Sequence, residues 1–337
     1  MAVTSPEFKS TLKSVFYTYW DKCSVSMADG SLTRYKYALS SFDHFLDSIN
    51  YDGSDITEDM LFEWKKEISH LSDGSISTYE TAVRQALLVA RAFGINSQMP
   101  SSSGKTRDGY QPYIYSDSEL SMIVAFADNM QPIQPYPWCH YEIPMVLRIL
   151  IGCGTRITET LELQMKDVDL ENGIMVMRRT KGKKERLVPV TEDLRQMLGA
   201  YCKAMNVTKT PNAYLFPGRD ESEPLNHTYF AQHFRSLLKL AGISNDHLQR
   251  YARGACVHCI RHTFGCNSLR QLNRLGLHEA DYIPYLSTYM GHRDIDETQK
   301  YLKFTAEMVS EESEQFEDSI QTIYDCPVFR DDTDWDA

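Results

Sequence analysis

Apolar residues recur at intervals near 3.6 over Phe8 to Tyr19, Leu32 to Leu46, Met60 to Ile68 and Ser75 to Phe93. That spacing lines up one apolar face of an amphipathic helix, so these four segments predict a small all-helical domain over residues 1–97. Asp55 or Thr57 can cap the third helix. Asp73-Gly74 breaks the chain before the fourth, whose start carries Ser75, Ser77 and Thr78. Hydroxyls and N–H groups at such an end suit a phosphate, which makes Ser77 and Thr78 candidate phosphate contacts. Around residues 98–112 Ser, Gly, Pro and charge mix without periodicity, as in an interdomain linker.

A second domain is expected over residues 113–304. Ser116 or Asp117 precedes an amphipathic run with Glu119 in its first turn, and "YEIPMVLRILIGCG" reads as a buried helix ended by Gly152 and Gly154. A short helix from Arg156 to Leu163 follows. The period then changes: "GIMVMRRT" and "ERLVPV" are short strand-like runs flanking "KGKK", which predicts a hairpin with Lys181 at or beside its turn. Helices are expected again at Glu192 to Met205, Thr228 to Leu240 and Val257 to Leu272, with shorter ones near Ile283 and Thr298. The fold class is mostly α with a small antiparallel β-sheet in the second domain. No internal repeat is evident.

Composition narrows this little, with 42% apolar and 24% charged residues in 337. No run approaches the ~18 apolar residues of a membrane span, and "MAVTSPEFKS" lacks a signal-peptide pattern, so no membrane partner and a cytoplasmic location are expected. Eight scattered cysteines suggest small buried hydrophobes in a reducing compartment and no bridges. The net charge of −11 argues at first against nucleic acid. Its distribution points the other way, because residues 302 to 337 hold 11 acidic and 2 basic side chains and the rest of the chain is nearly neutral. Within that body, "RRTKGKKER" clusters Arg178, Arg179, Lys181, Lys183, Lys184 and Arg186. Such a run is a solvated hairpin or a footprint for a phosphate backbone.

Chemistry-bearing motifs lie in the second domain. "GCGTRITETLEL" places Arg156 after a glycine turn, with Glu159 three residues on; alone, this also describes a helix with an internal ion pair. His-x-x-Arg occurs twice, where ten His and nineteen Arg predict about 0.6 by chance. His247 to Arg250 lies in a polar segment. His258 to Arg261 lies in "CVHCIRHTFGC", where Cys256, Ile260 and Phe264 recur at i and i+4, so His258 and Arg261 share a neighbouring face. Cys256, Cys259 and His262 have zinc-ligand types, but ligands so close on one helix cannot close a tetrahedron, and packing cysteines are favoured over a metal site. Gly291-His292 and Tyr301 complete the set, with Tyr282, Tyr285 and Tyr289 as rival tyrosines.

The order of these motifs resembles the tyrosine recombinases, the phage-integrase-type site-specific recombinases, over most of the chain. In that family a helical core-binding domain and an α/β catalytic domain clamp DNA. The catalytic domain carries an Arg, a hairpin Lys, a His-x-x-Arg, a Gly-His and a Tyr. The resemblance implies catalytic roles for Arg156, Lys181, His258, Arg261, His292 and Tyr301, with Lys183 or Lys184 substituting for Lys181 in a shifted register. Ser77, Thr78, Lys183, Lys184 and Arg186 become candidate DNA contacts.

By the same resemblance, Tyr301 attacks a backbone phosphate of double-stranded DNA at a specific site and forms a 3′-phosphotyrosyl link. No cofactor, metal or ATP is required, and a homo-tetramer on DNA, with possible accessory DNA-binding proteins, exchanges strands. Segment 305–337 either docks on a neighbouring subunit or covers the basic site as an acidic tail. The stretch from Arg261 to His292 is longer than in compact members and is similar to that of mobile-element integrases and transposases. The alternatives are a type IB-like topoisomerase, a non-catalytic DNA-binding accessory protein, and an acidic interaction protein.

Overall fold

A computed structural model describes residues 3–100, 111–134, 136–178, 185–207, 210–246, 248, 254–292 and 295–301. Lys181, Lys183, Lys184, the His247 to Arg250 pair, most of the expected linker and the segment 305–337 lie outside them. The chain divides into two units, Met1–Gly109 and Tyr110–Ala337.

In the first unit α1 (Lys13–Ser26), α2 (Asp29–Ser48), α3 (Glu58–Glu67) and α4 (Asp73–Ala92) enclose one apolar core built around Phe16, Trp20, Phe42, Trp64 and Leu87. The expected first helix starts five residues later and ends seven residues later. The buried Asp43 carboxylate accepts the backbone N–H groups of Lys9 and Ser10 at 2.8 and 3.0 Å, which holds that stretch out of the helix. At the far end Cys23 prolongs the buried stripe of Tyr19 and Trp20 past the predicted stop. Thr57 caps α3 by accepting from Met60 N–H. The fourth helix, by contrast, starts earlier than predicted, with Ser72 as its cap accepting from Ser75 N–H. Ser77 and Thr78 therefore lie inside α4, where Thr78 Oγ1 donates back to the Gly74 carbonyl at 2.8 Å.

The second unit is built on α6 (Cys139–Cys153), which is buried on nearly every side and packs against α5 (Asp117–Asp128), α8 (Glu192–Ala204) and α10 (Val257–Arg274). Ser116 and Glu119 close a capping box at the start of α5. Gly154, at φ +59°, ends α6, whereas Gly152 remains inside it. The short helix after it, α7 (Ile157–Leu161), is shorter than predicted and has Arg156 as its N-cap. α9 (His227–Leu240) and α11 (Glu279–Met290) follow near the expected places, and residues 296–301 are helical.

The described sheet is antiparallel, with β1 (Val168–Asp169), β2 (Ile174–Met177) and β3 (Arg186–Pro189) in that order. β1 is too short for periodicity to reveal. Met175 faces Val188 and Met177 faces Arg186 across the β2–β3 ladder. Directly paired residues share a face, so the pleat that buries Met175, Met177 and Val188 also turns Arg186 inward, while Leu187 points to solvent. The fold is mostly helical with this small antiparallel sheet, as the sequence indicates.

One charge lies at the heart of the second unit. Arg148, 0% exposed, makes two 2.7 Å bonds to the Asp128 carboxylate. Replacing one partner of such a pair strands a buried charge. Arg148→Ala is expected to cost about 3–5 kcal/mol in denaturant unfolding, and Arg148→Met with Asp128→Leu to recover most of it. Equal losses in the single and double variants would contradict this.

Candidate active site

Three arginines from different elements converge on the end of α11. Arg156 Nη2 donates to the Gly291 carbonyl at 2.9 Å, Arg186 Nε to that of Tyr289 at 2.9 Å, and Arg261 Nη2 to that of Met290. These successive carbonyls are among the acceptors a helix leaves unpaired at its C-terminus, where its dipole favours cations. Arg261 is anchored at its other side by the Gly154 carbonyl, 2.7 Å from Nη1. It is thereby clamped between the ends of α6 and α11.

Three guanidinium groups at close quarters need an anion. Glu159 supplies it: Oε1 accepts from Arg156 Nη1 and Oε2 from Arg186 Nη2, both at 2.7 Å, and Oε2 also accepts Arg156 N–H. Burial alone would raise this carboxyl, but the bonds and charges of Arg186 and Arg156 outweigh it and hold it below the ordinary value. The Arg156–Glu159 ion pair that the motif alone could mean is present, and as part of a larger cluster. Arg186, only 10% exposed at its side chain, lies inside this cluster and not out on the basic hairpin. Its Nη1 is buried and has no hydrogen-bond partner among the described residues.

Glycines admit the close approaches. A Cβ on Gly154 would meet the Phe264 ring at 2.2 Å, and one on Gly265 would meet the Tyr301 ring at 2.6 Å. Gly291, at φ +66°, turns the chain out of α11 and delivers His292, whose Nδ1 stands 2.7 Å from Thr298 Oγ1. Tyr301 is 2% exposed, lies over Gly265 and joins an apolar cluster with Cys266, Leu269, Ile283 and Met290. Its ring centroid is 6.0 Å from that of His292 and 5.7 Å from that of His262. His258 is exposed at the start of α10, with its ring 4.8 Å from His262 and edge-on to it.

Arg156, Arg261, His292 and Tyr301 thus form one group, with His258 reached through His262. Lys181 lies outside the described residues. Of the rival tyrosines, Tyr289 stacks on Phe264 and Tyr282 pairs with Tyr285, which is 73% exposed. His262 is part of the group and carries a sequence signal, its i+4 spacing from His258. The position of Arg186 could be found only from the strand register. Seven described cysteines are thiols, and Cys256 is exposed at the N-cap of α10, unlike the buried packing residue the sequence suggested. Among the described residues no three His, Cys, Asp or Glu side chains are grouped to hold a metal ion.

The cations set the local titration. Burial first, then Arg261 and Arg156, pushes His292 down to about 3; burial, then His258 and Arg261, pushes His262 down to about 3. Both imidazoles are neutral at pH 7. Burial and Arg156 bring Arg261 down to about 10, which leaves it charged. Tyr301 is pushed up to about 12, chiefly by burial, with Arg261 and Arg156 opposing. The arrangement is an anion cradle of fixed donors beside a buried phenol.

Comparison with known proteins is consistent across sequence and fold. The model of the Phage integrase family matches residues 116–308. The tyrosine recombinase XerD of Bradyrhizobium diazoefficiens is 23% identical over 286 residues, covering 80% of this chain and 85% of the relative. Among solved structures, XerH site-specific recombinase bound to palindromic difH substrate superposes with a TM-score of 0.63 at 18% identity, covering 89% of this chain and 83% of that one. The Tn1549 transposon integrase in complex with a circular intermediate DNA gives 0.60 at 18% identity, covering 90% of this chain and 100% of that one.

A histidine with a depressed folded value takes up its proton more readily when unfolded. The stability contributed by neutral His262 and His292 is therefore complete above about 6.5 and is lost as pH falls from there toward about 3. Denaturant unfolding between pH 7.5 and 5 should show this fall, and His262→Asn with His292→Asn should flatten it. An unchanged slope would count against neutral imidazoles.

Proposed function

This chain belongs to the phage integrase family and is a site-specific recombinase of the tyrosine class, and from that premise we propose that it cuts and rejoins double-stranded DNA through a 3′-phosphotyrosyl intermediate. The observation that carries the reading is the cradle of arginines on the end of α11 with the Tyr301 ring seated beside it.

Arg156 and Arg261 hold the scissile phosphate. A planar guanidinium offers parallel N–H donors to two phosphate oxygens and, being fixed by helix-end carbonyls, needs no reorganisation as charge builds in the pentacoordinate state. His292 Nδ1 pairs with Thr298 Oγ1 at 2.7 Å, and in the tautomer whose Nδ1 accepts that bond the ring carries its proton on Nε2 as a further donor. Arg186 and Glu159 set the position of Arg156. Arg186 Nη1, buried and without a protein partner among the described residues, adds to the positive field.

A phenol with a value of about 12 is ionised to roughly one part in 100,000 at pH 7, so its proton must leave as the bond to phosphorus forms. His258 takes that proton. Lys181 protonates the departing 5′ oxygen, and the ester retains the energy of the broken bond, so a 5′ hydroxyl of another strand reverses the attack without ATP or a metal. The helical unit, residues 1–97, also binds the duplex, with the exposed Ser77 among its phosphate contacts, and Lys183 and Lys184 contact phosphates from the second unit. Four protomers exchange strands in pairs on two sites, with accessory DNA-binding proteins choosing direction in the cytoplasm. The likeness to the Tn1549 integrase favours service to a mobile element.

Suicide duplexes carrying the protein's own genomic flanks test this. Tyr301→Phe should abolish the covalent adduct while duplex binding persists; an undiminished adduct would reject the assignment. Arg156→Ala should slow adduct formation by about 10² or more, as removal of one preorganised donor does, and an unchanged rate would contradict its role. His258→Ala should slow cleavage and make the remaining rate climb with pH, by up to about tenfold per unit, because hydroxide must then remove the phenol proton. A slowed but pH-independent rate would assign the proton to another group.

A further inference from the structure

The first turn of α10 holds two sulfurs for which strand cleavage has no use. Cys256, at the N-cap, is exposed; Cys259, one turn on, is fully buried; and their Sγ atoms stand 3.4 Å apart. The other described cysteines, Cys23, Cys139, Cys153, Cys202 and Cys266, are all buried. This pair is thus the place, among the described residues, where a thiol meets solvent with a second thiol against it.

The backbone around the pair is pinned. Asn245 brackets Ala255 by donating to its carbonyl at 2.9 Å and accepting its N–H at 3.0 Å. Tyr115 Oη donates to the Cys256 carbonyl at 3.0 Å, and Cys259 Sγ lies 3.6 Å from the Gly254 carbonyl. The sulfurs are therefore held facing each other by fixed neighbours. A disulfide is about 2.05 Å long, so closure needs an approach of roughly 1.4 Å, which the first helical turn must supply. Between the two cysteines stand Val257 and His258.

We propose that Cys256 and Cys259 are an oxidisable dithiol, closed by a peroxide into an intramolecular disulfide that draws in the first turn of α10, displaces His258 and slows strand cleavage. The chemistry has two steps. The Cys256 thiolate attacks one peroxide oxygen, the O–O bond breaks, and the products are a sulfenic acid and, after protonation, one water. The Cys259 sulfur then attacks Cys256 Sγ, the S–S bond forms, the S–O bond breaks, and the hydroxyl leaves as a second water. Two thiol protons and two electrons have passed to the peroxide. Exposure makes Cys256 the attacking sulfur. Cys259, buried and with its thiol raised, is not the first to react; it resolves the sulfenic acid because its sulfur stands 3.4 Å from Cys256 Sγ, and its proton leaves with the departing hydroxyl as the S–S bond forms.

The effect on cleavage rests on the role given above to His258, whereas the disulfide itself does not. Both are read on the full-length protein, exposed to hydrogen peroxide and then alkylated. Peptide mapping should show Cys256 and Cys259 protected together, 2 Da lighter and linked within one chain. Adduct formation on a suicide duplex should fall about tenfold and return with dithiothreitol. Cys256→Ser should cleave at the untreated rate and resist peroxide. Cys256 found as sulfinic acid or bridged between chains, or an oxidised fraction that cleaves at the reduced rate, would overturn the proposal. If His258→Ala cleaves like the unaltered protein, the role of His258 fails, and the mapping still decides the disulfide.

Discussion

The second unit depends on a helix end that accepts cations. The carbonyls of Tyr289, Met290 and Gly291 each take one bond from a different arginine, and those arginines come from β3, α10 and the cap of α7. Burying guanidinium groups together opposes folding through desolvation and mutual repulsion, as the lowered value of Arg261 records. A dipole end and the Glu159 carboxylate offset both. What remains is a positive pocket with its donors already oriented, which is what a phosphate acquiring charge requires.

α10 carries the other half of the arrangement. Over one stretch it supplies His258, Arg261 and His262, then Gly265, whose bare backbone seats the Tyr301 ring. Thr263 between them accepts the Tyr115 N–H at 2.9 Å and so ties the opening segment of the unit to the same helix. Phe264 fills the notch left by Gly154, where a side chain would collide with it. Two imidazoles, a clamped guanidinium and the seat of a phenol ring are therefore successive positions along one rod.

Much of this was legible in the sequence, and the exceptions have physical causes. Helices with a continuous apolar stripe were placed well. The first helix slipped because a long-range carboxylate, Asp43, captured the N–H groups of Lys9 and Ser10, and no local pattern records such a bond. Arg156 and the His258 to Arg261 pair could be picked out because a glycine turn and a helical spacing fix them locally. The part played by Thr298 becomes plain only in space, where it meets His292. Arg186 was grouped with the surface cations because charge counting ignores the pleat, and register across β2 and β3 decides which face it takes. Lys181 remains a reading of sequence order.

The shared helix end also says where this chain can change length. Between Arg274 and Glu279 runs a short connection, with Gly276 in a left-handed turn, and none of the three anchors touches it. Extra residues there lengthen a loop at little entropic cost. One residue added between Tyr289 and His292 would instead rotate the following carbonyls by about 100° about the helix axis, so that the arginine partners could no longer all be met. Natural drift in this lineage should therefore accumulate as insertions before α11 and leave the four residues at its end invariant in spacing, whatever DNA each descendant comes to recognise.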